Sequence, residues 1–385
     1  MTDLFSSDFT LGILGGGQLG KMMLYETRKF DIKTHVLDPS AQAPCRIACD
    51  HFEQGDLMDY DTVYRFGKKT DVLTFEIENV NVDALAALEK EGKKVFPSSE
   101  TLKNIQDKGI QKQFYKSHNI PTAPFVVYDS KNRLNEAIVR KELHFPFVWK
   151  SCTGGYDGKG VSIIRNAEAI IPLPDTACIA EKLVPFKNEL AVIVARNVSG
   201  AVTTYPVVEM EFHPEANQVE YVICPARIDA AVAAKAREVA TRVSEAFKHV
   251  GLLAVELFQT EDDDILVNEV APRPHNSGHH TIESGYTNQF EQHLRAILDL
   301  PLGRTDSKVG GVMVNLVGAE GHTGEVHYQH IDSILAMEGV TPHIYGKKET
   351  RPFRKMGHVT IVDEDLNKAR QIAEEVKKTI QVISK

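Results

Sequence analysis

Short apolar runs alternate with amphipathic stretches through the first third of the chain. Thr10–Leu14 is apolar and ends in glycines, while Gln18–Lys29 sets Leu19, Met22, Met23 and Tyr25 at helical spacing. Lys33–Leu37, Asp71–Phe75 and Lys94–Phe96 are further apolar runs, with a helical stretch at Val82–Leu88. Strands separated by helices predict a parallel sheet covered on both faces. Ile120-Pro121-Thr122-Ala123-Pro124 breaks the pattern and predicts a domain edge. A smaller α/β segment follows, and beyond Phe186 the strands lengthen. Ala230–Val250 predicts the clearest helix, with Asp229 as its cap, Gly251 past its end and Val232, Ala236, Val239, Ala240, Val243 and Phe247 on one face. Glu364–Thr379 predicts a last helix with Ile372 and Val376 inward. The pattern divides the chain at 1–119, 120–186 and 187–385, and no internal repeat is visible.

Composition changes this picture little. The 385 residues are 42% hydrophobic and 25% charged, which suits a multidomain globular protein. The net charge of -9 and the lack of a basic stripe give no support to nucleic-acid binding. Five cysteines, an odd and sparse set, do not form a disulfide framework. Cys45, Cys49 and His51 lack further evident ligands for a metal. The first residues carry no basic, apolar leader, and no stretch reaches the roughly 20 apolar residues of a membrane span. The expectation is a cytoplasmic protein that does not engage membranes.

Two glycine-rich loops bring in chemistry. Gly15, Gly17 and Gly20 form G-x-G-x-x-G between a strand and a helix, a geometry that offers backbone N–H groups to an anion. Asp38 ends the second strand, where a dinucleotide-binding fold places its ribose acid. Taken alone, these residues point to an NAD-dependent oxidoreductase. A second loop, Ser151–Val161, follows an apolar strand ending in Lys150 and holds Gly154, Gly155, Gly158 and Gly160 beside Lys159. It suits a phosphate cover or a plain β-hairpin, and it is not a Walker loop. A dehydrogenase does not require it.

Gly251–Phe258 and Ile265–Val270 are apolar runs flanking an acidic turn. A hairpin turning at Asp262-Asp263 sets Glu256 opposite Glu269, with Cβ atoms about 4.5–5.5 Å apart. Facing carboxylates inside apolar strands repel and lose hydration, which a magnesium ion offsets. A shared proton or a shifted register are the other solutions. Asn268 falls on the opposite face unless a bulge intervenes. His275, His279, His280 and His293 raise the possibility of zinc, but the adjacent glutamates favour a hard ion.

Together, the lysine-ended strand, the second glycine loop, a Glu-rich hinge and the carboxylate pair resemble the ATP-grasp superfamily. Within it the chain is similar to the N5-carboxyaminoimidazole ribonucleotide synthetase family. The markers are Gly15–Gly20, Thr74-Phe75-Glu76-Ile77-Glu78, Gly154–Gly160, Glu181–Phe186, Asn268–His279 and Arg354–His358, which span nearly the whole chain. The resemblance implies an α/β and α+β architecture: an ATP-grasp fold preceded by a Rossmann-like parallel-sheet domain. It implies carboxylation of aminoimidazole ribonucleotide by bicarbonate, using ATP and magnesium, with manganese as a substitute.

The same resemblance assigns residues. Lys108 and Lys150 contact ATP phosphates, covered by Gly155-Tyr156-Asp157-Gly158-Lys159-Gly160-Val161. Glu181-Lys182-Leu183-Val184 holds adenine and Glu189 the ribose. The family's nucleotide-contacting histidine lies near Phe212, and here the histidine is His213. Asn268 and Glu269 meet the phosphates, and Glu256 and Glu269 hold the metal. Gly15, Gly17, Gln18 and Leu19 bind the substrate phosphate with Lys347 and Arg354, while Glu76, Tyr156 and Asp157 face the aminoimidazole ring. Arg273, His275, Asn276 and Lys355 hold the carboxyphosphate, and Asp157 orients the amine. A homodimer and a product hand-off to a mutase are implied as well. Other ATP-grasp ligases, the oxidoreductase and a non-catalytic nucleotide-binding regulator are the competing readings.

Overall fold

The computed structural model describes residues 4–155, 160–213 and 218–385. The amino-terminal sheet has strands β1 (Thr10–Leu14), β2 (Lys33–Asp38), β3 (His51–Gln54), β4 (Val72–Phe75) and β5 (Lys94–Val95) in the order β3-β2-β1-β4-β5. All pairings are parallel, as the strand–helix alternation predicts. β1 and β4 are buried along their whole length because helices cover both faces. The helix Gln18–Lys29 occupies the predicted residues. Its Met22, Met23 and Leu24 share a core with Phe290, Leu294 and Tyr345 from the other end of the chain.

The central sheet has β6 (Phe125–Tyr128), β7 (Phe147–Ser151), β8 (Val161–Ile164) and β9 (Cys178–Lys182), ordered β6-β9-β7-β8 and antiparallel. The second glycine loop lies between β7 and β8, which pair with each other. Tyr156, Asp157, Gly158 and Lys159 lie outside the described residues.

The largest sheet contains β10 (Phe186–Arg196), β11 (Val202–Thr204), β12 (Val208–Phe212), β13 (Val219–Cys224), β14 (Gly251–Thr260), β15 (Ile265–Ala271) and β16 (Gly310–Val317). It also takes β18 (Val340–Ile344) and β20 (Lys355–Asp363), while β17 (Gly324–Gln329) pairs with β19 (Glu349–Thr350) on one side and β21 (Gln381–Ser384) on the other in a small separate sheet. The order is β15-β14-β10-β12-β13-β16-β20-β18, with β11 on β10. The helix Ala230–Phe247 lays its predicted stripe on this sheet, and all six stripe residues are buried. Its ends differ from expectation. The Asp229 side chain makes no cap bond, and the left-handed residue after the helix is Lys248 (φ 48°). Gly251 instead opens β14 at φ 111°, where a Cβ would stand 2.9 Å from the His293 ring. The last helix runs Leu366–Thr379, starting where Asp365 caps the Asn367 N–H at 2.9 Å. Ala369, Ala373 and Val376 form its buried face, with Ile372 half-buried.

The helix Lys108–Ser117 precedes the proline-marked edge, yet its Tyr115 packs into the core of the large sheet with Ile120 and Val255. That packing carries Lys108 and Lys112 toward the carboxylates of β14 and β15.

Candidate active site

Glu256 and Glu269 are direct neighbours across β14 and β15, as the hairpin symmetry predicts. The route to that pairing differs. Near the turn Gln259 faces Ile265, and Asp263 (φ 61°) takes the left-handed position that a three-residue hairpin loop needs. The register then shifts by one between Glu256 and Leu257, leaving Asn268 as the extra residue of a bulge. The bulge turns Asn268 to the side of the pair, where Oδ1 accepts from Lys150 Nζ at 2.8 Å.

Cations surround the pair. Lys108 Nζ pairs with Glu269 Oε2, and its backbone N–H is held by Cys152 O at 2.8 Å, beside the end of β7. Lys108, despite burial, holds the Glu269 carboxyl well below the usual range. Burial, then repulsion from Glu269, pushes Glu256 in the opposite direction. His275 Nε2 lies 3.5 Å from Glu256 Oε1. Burial and then mutual repulsion oppose charge on both carboxylates at once, and two such oxygen donors form a set that fits a hard divalent cation. Among the described residues no third His, Cys, Asp or Glu side chain joins them. A magnesium ion here would therefore complete its shell with phosphate oxygens and water.

Behind the pair lies a buried ion network absent from the sequence reading. Glu181, 4% exposed, meets Lys112 and Lys150, each at 2.9 Å. Burial alone would raise the Glu181 carboxyl, but Lys150 and Lys112 outweigh it and lower it. Burial brings the Lys112 ammonium down to about 8 despite Glu181. Lys112 also donates to Thr122 Oγ1 at 2.5 Å, which donates to Val267 O at 2.6 Å. Glu181 thus spends its carboxylate on Lys150 and on Lys112, which lies one helical turn after Lys108. Leu183 and Val184 lie between β9 and β10, outside both ladders. Glu189 sits on β10 and is pushed up to about 7 by burial, with Lys150 opposing.

The loop after β15 is locked by a residue the sequence gave no reason to single out. Gln289, fully buried, accepts from His275 N at 2.8 Å and donates to His275 O at 2.9 Å. Arg273 Nε meets Glu78 Oε1 at 2.8 Å, joining this loop to the amino-terminal domain. Asn276 and Asn315 exchange two amide hydrogen bonds of 2.9 Å, so the Asn276 side chain is committed to holding the loop. Lys355 lies near enough to Glu256 and His279 to act on the charge of both. The four histidines considered for zinc have separate partners instead. His279 meets Gln289 at 2.8 Å, His280 meets Ser284 at 2.9 Å and His293 meets Thr74 at 2.9 Å.

The first glycine loop corrects the expectation most. Gly15 N donates to Leu37 O (2.9 Å), Gly16 N to Asp38 Oδ2 (2.7 Å) and Gly17 N to Glu76 Oε1 (2.8 Å). Gly20 N donates to Glu76 Oε2 at 3.0 Å. The loop's anion is therefore the protein's own Glu76, whose carboxyl is raised by burial against these bonds. Gly15 and Gly17 cannot offer these N–H groups to a phosphate. Gln18 and Leu19, in the first turn, remain unsatisfied among the described residues. Asp38 holds the loop rather than presenting itself to a ribose, which removes the main support for the oxidoreductase.

Three further assigned residues have partners of their own. The His213 ring lies edge-on to Phe353 at 5.9 Å, at a 410 Å³ cavity that Asn315 and Val382 also line. Arg354 donates to Glu349 O at 2.6 Å, and Lys347 donates to Lys355 O at 2.6 Å.

The chain matches three domain families in succession. They are the ribonucleotide synthetase preATP-grasp domain over residues 9–106, the ATP-grasp domain over 113–290 and the phosphoribosylaminoimidazole carboxylase C-terminal domain over 311–372. It is 40% identical to the N5-carboxyaminoimidazole ribonucleotide synthase of Bacillus subtilis, over 92% of this chain and 91% of that one. The chain belongs to the N5-carboxyaminoimidazole ribonucleotide synthase family. It is an ATP-grasp ligase. The structure of the Thermotoga maritima synthetase in this family is similar at a TM-score of 0.90 and 43% identity, covering 98% of this chain and 100% of that one. The Aspergillus clavatus synthase in complex with ADP and 5-aminoimidazole ribonucleotide is similar at a TM-score of 0.88 and 32% identity, covering 97% and 98%. The expected ATP-grasp fold with a preceding parallel-sheet domain is thus the fold observed.

Proposed function

We propose that this chain carboxylates 5-aminoimidazole ribonucleotide with bicarbonate at the expense of ATP, giving N5-carboxyaminoimidazole ribonucleotide, ADP and phosphate in purine biosynthesis. The observation that carries the site assignment is the Glu256–Glu269 pair facing Lys108 and Lys150 on neighbouring elements. A bicarbonate oxygen attacks the γ-phosphorus of ATP, and the bond to ADP breaks. Lys108 and Lys150 neutralise charge that develops on the transferring group. Magnesium, held by Glu256 and Glu269, supplies further charge neutralisation when bound. Arg273, His275 and Lys355 hold the carboxyphosphate, which breaks to carbon dioxide and phosphate away from water. The exocyclic amine of the substrate attacks the carbon dioxide and loses a proton. Asp157, assigned from the sequence alone, orients that amine and accepts the proton. Tyr156 and Glu76 face the ring. Both Glu76 oxygens also accept a backbone bond, from Gly17 N and Gly20 N. Asn276 acts through loop shape, since its amide is spent on Asn315.

Manganese as a substitute metal, a homodimer, a cytoplasmic location and product hand-off to a mutase belong to the same reading. Among the described residues no helix is long and apolar enough to cross a membrane. The test is ADP release with magnesium, with and without bicarbonate and aminoimidazole ribonucleotide. Turnover requiring both supports the reading. Turnover indifferent to the ribonucleotide but stimulated by another amine overturns the substrate and leaves the fold.

A further inference from the structure

Lys21 has no part in the reading above, yet its setting is unusual. It lies in the helix Gln18–Lys29, one turn from Gly17, whose carbonyl receives its N–H at 3.0 Å. The side chain is only 9% exposed. Its ammonium donates to Ile344 O at 2.9 Å and more weakly to Tyr345 O at 3.5 Å, far along the chain at the end of β18. Gly346 follows at φ 85°, with room for a Cβ 3.5 Å from the Lys21 nitrogen. Lys347 comes next. Its ammonium is 5.6 Å from the Tyr345 ring centre and is bonded to Lys355 O.

A buried ammonium satisfied only by carbonyls is costly. Among the described residues no carboxylate forms an ion pair with Lys21, and beside burial the group acting on its charge is the Cys45 thiol. The unsatisfied N–H groups of Gln18 and Leu19 open the same helix. One side chain therefore ties an electropositive helix start to the turn that carries Lys347.

We propose that Lys21 is a positioning residue for the phosphate group of the substrate, fixing the Gln18–Leu19 helix start against the Lys347 turn so that one dianion meets both. The proposal rests on the carboxylase reading, and the two can fail separately. Its role is in binding, so it appears in the KM for the ribonucleotide and not in the handling of ATP.

The test compares Lys21→Met, Lys21→Gln and Lys21→Arg with the unaltered enzyme. Lys21→Met should raise the KM for aminoimidazole ribonucleotide about tenfold, the worth of one charge-assisted contact, with the KM for ATP within about twofold. Lys21→Gln, which keeps a donor without the charge, should fall between, and Lys21→Arg should restore most of the loss. Unchanged KM values, or equal rises for both substrates, would overturn the proposal. Insolubility of all three variants would assign Lys21 to folding alone and overturn it as well. The unaltered enzyme is also given the nucleoside lacking the phosphate. Equal use of nucleoside and nucleotide would remove the phosphate site itself, and the proposal with it, while leaving carboxylation in place.

Discussion

Gly17 offers a quantitative test of what the first glycine loop is for. Its φ of -73° is open to any L-residue, so the backbone does not oppose Gly17→Ala. What opposes it is Glu76. A Cβ at position 17 would stand 2.6 Å from Glu76 Oε1 and 3.1 Å from Oε2. The carboxylate would have to withdraw, and with it go the bonds from Gly17 N at 2.8 Å and Gly20 N at 3.0 Å. Hydrogen bonds to a charged group are worth about 1.5–3 kcal/mol each. Alanine returns roughly 0.4–1 kcal/mol by restricting the unfolded chain. The net expectation is a loss of about 2–5.5 kcal/mol. Glu76→Ala removes the same two bonds and should cost a similar amount. Adding Gly17→Ala to Glu76→Ala should then cost almost nothing, because the obstacle is gone. The coupling energy of the double-mutant cycle is therefore about 2 kcal/mol or more. Urea unfolding followed by far-ultraviolet circular dichroism measures it, since the sole tryptophan, Trp149, reports the central sheet instead. A loop built only to grip a ligand phosphate would lose ligand affinity and keep its stability. Additive costs in the cycle, or a Gly17→Ala protein as stable as the original, would refute the reasoning.

Three further perturbations follow from the site. Burial puts the folded Glu189 carboxyl at about 7 against a usual 4.5, so between those values the folded chain keeps a proton the unfolded chain has lost. Stability therefore falls as pH rises through that window, and Glu189→Gln should be stabilising by roughly 3 kcal/mol at pH 8 and neutral near pH 4.5. A difference that does not vary with pH in thermal melts of the ligand-free protein would contradict this. Asn315→Ala deletes the two 2.9 Å bonds to Asn276 and the 2.8 Å bond to Val219 O, and should cost about 2–4 kcal/mol in urea unfolding and lower kcat. An unchanged kcat would remove the Asn276 loop from the positioning of reactants. Glu269→Gln should abolish ATP turnover with the far-ultraviolet spectrum intact, and full turnover would sink the metal assignment.

What the sequence made legible was local. Periodicity located the helix Gln18–Lys29 to the residue, and the buried stripe of Ala230–Phe247 followed from spacing alone. Contacts between distant segments were not legible, because no local signal carries them. Glu76 enters the glycine loop from 59 residues away, Lys150 reaches Asn268 across 118, and Gln289 locks His275 from another helix. Lys112 was hidden for a different reason. A lysine four residues after Lys108 reads as a solvated helix face until tertiary packing buries it against Glu181. The carboxylate hairpin joins both cases. Hairpin symmetry paired Glu256 with Glu269, yet a symmetric hairpin would have turned Asn268 away from Lys150. The longer turn at Asp263 and the bulge at Asn268 compensate each other: the glutamates stay opposed while one additional donor is delivered to the same side. A strand with perfect alternation could present the two carboxylates or the amide beside them, but not both. The irregularity in the ladder is therefore what lets this edge of the sheet present two carboxylates and an amide bonded to Lys150 on one side at once.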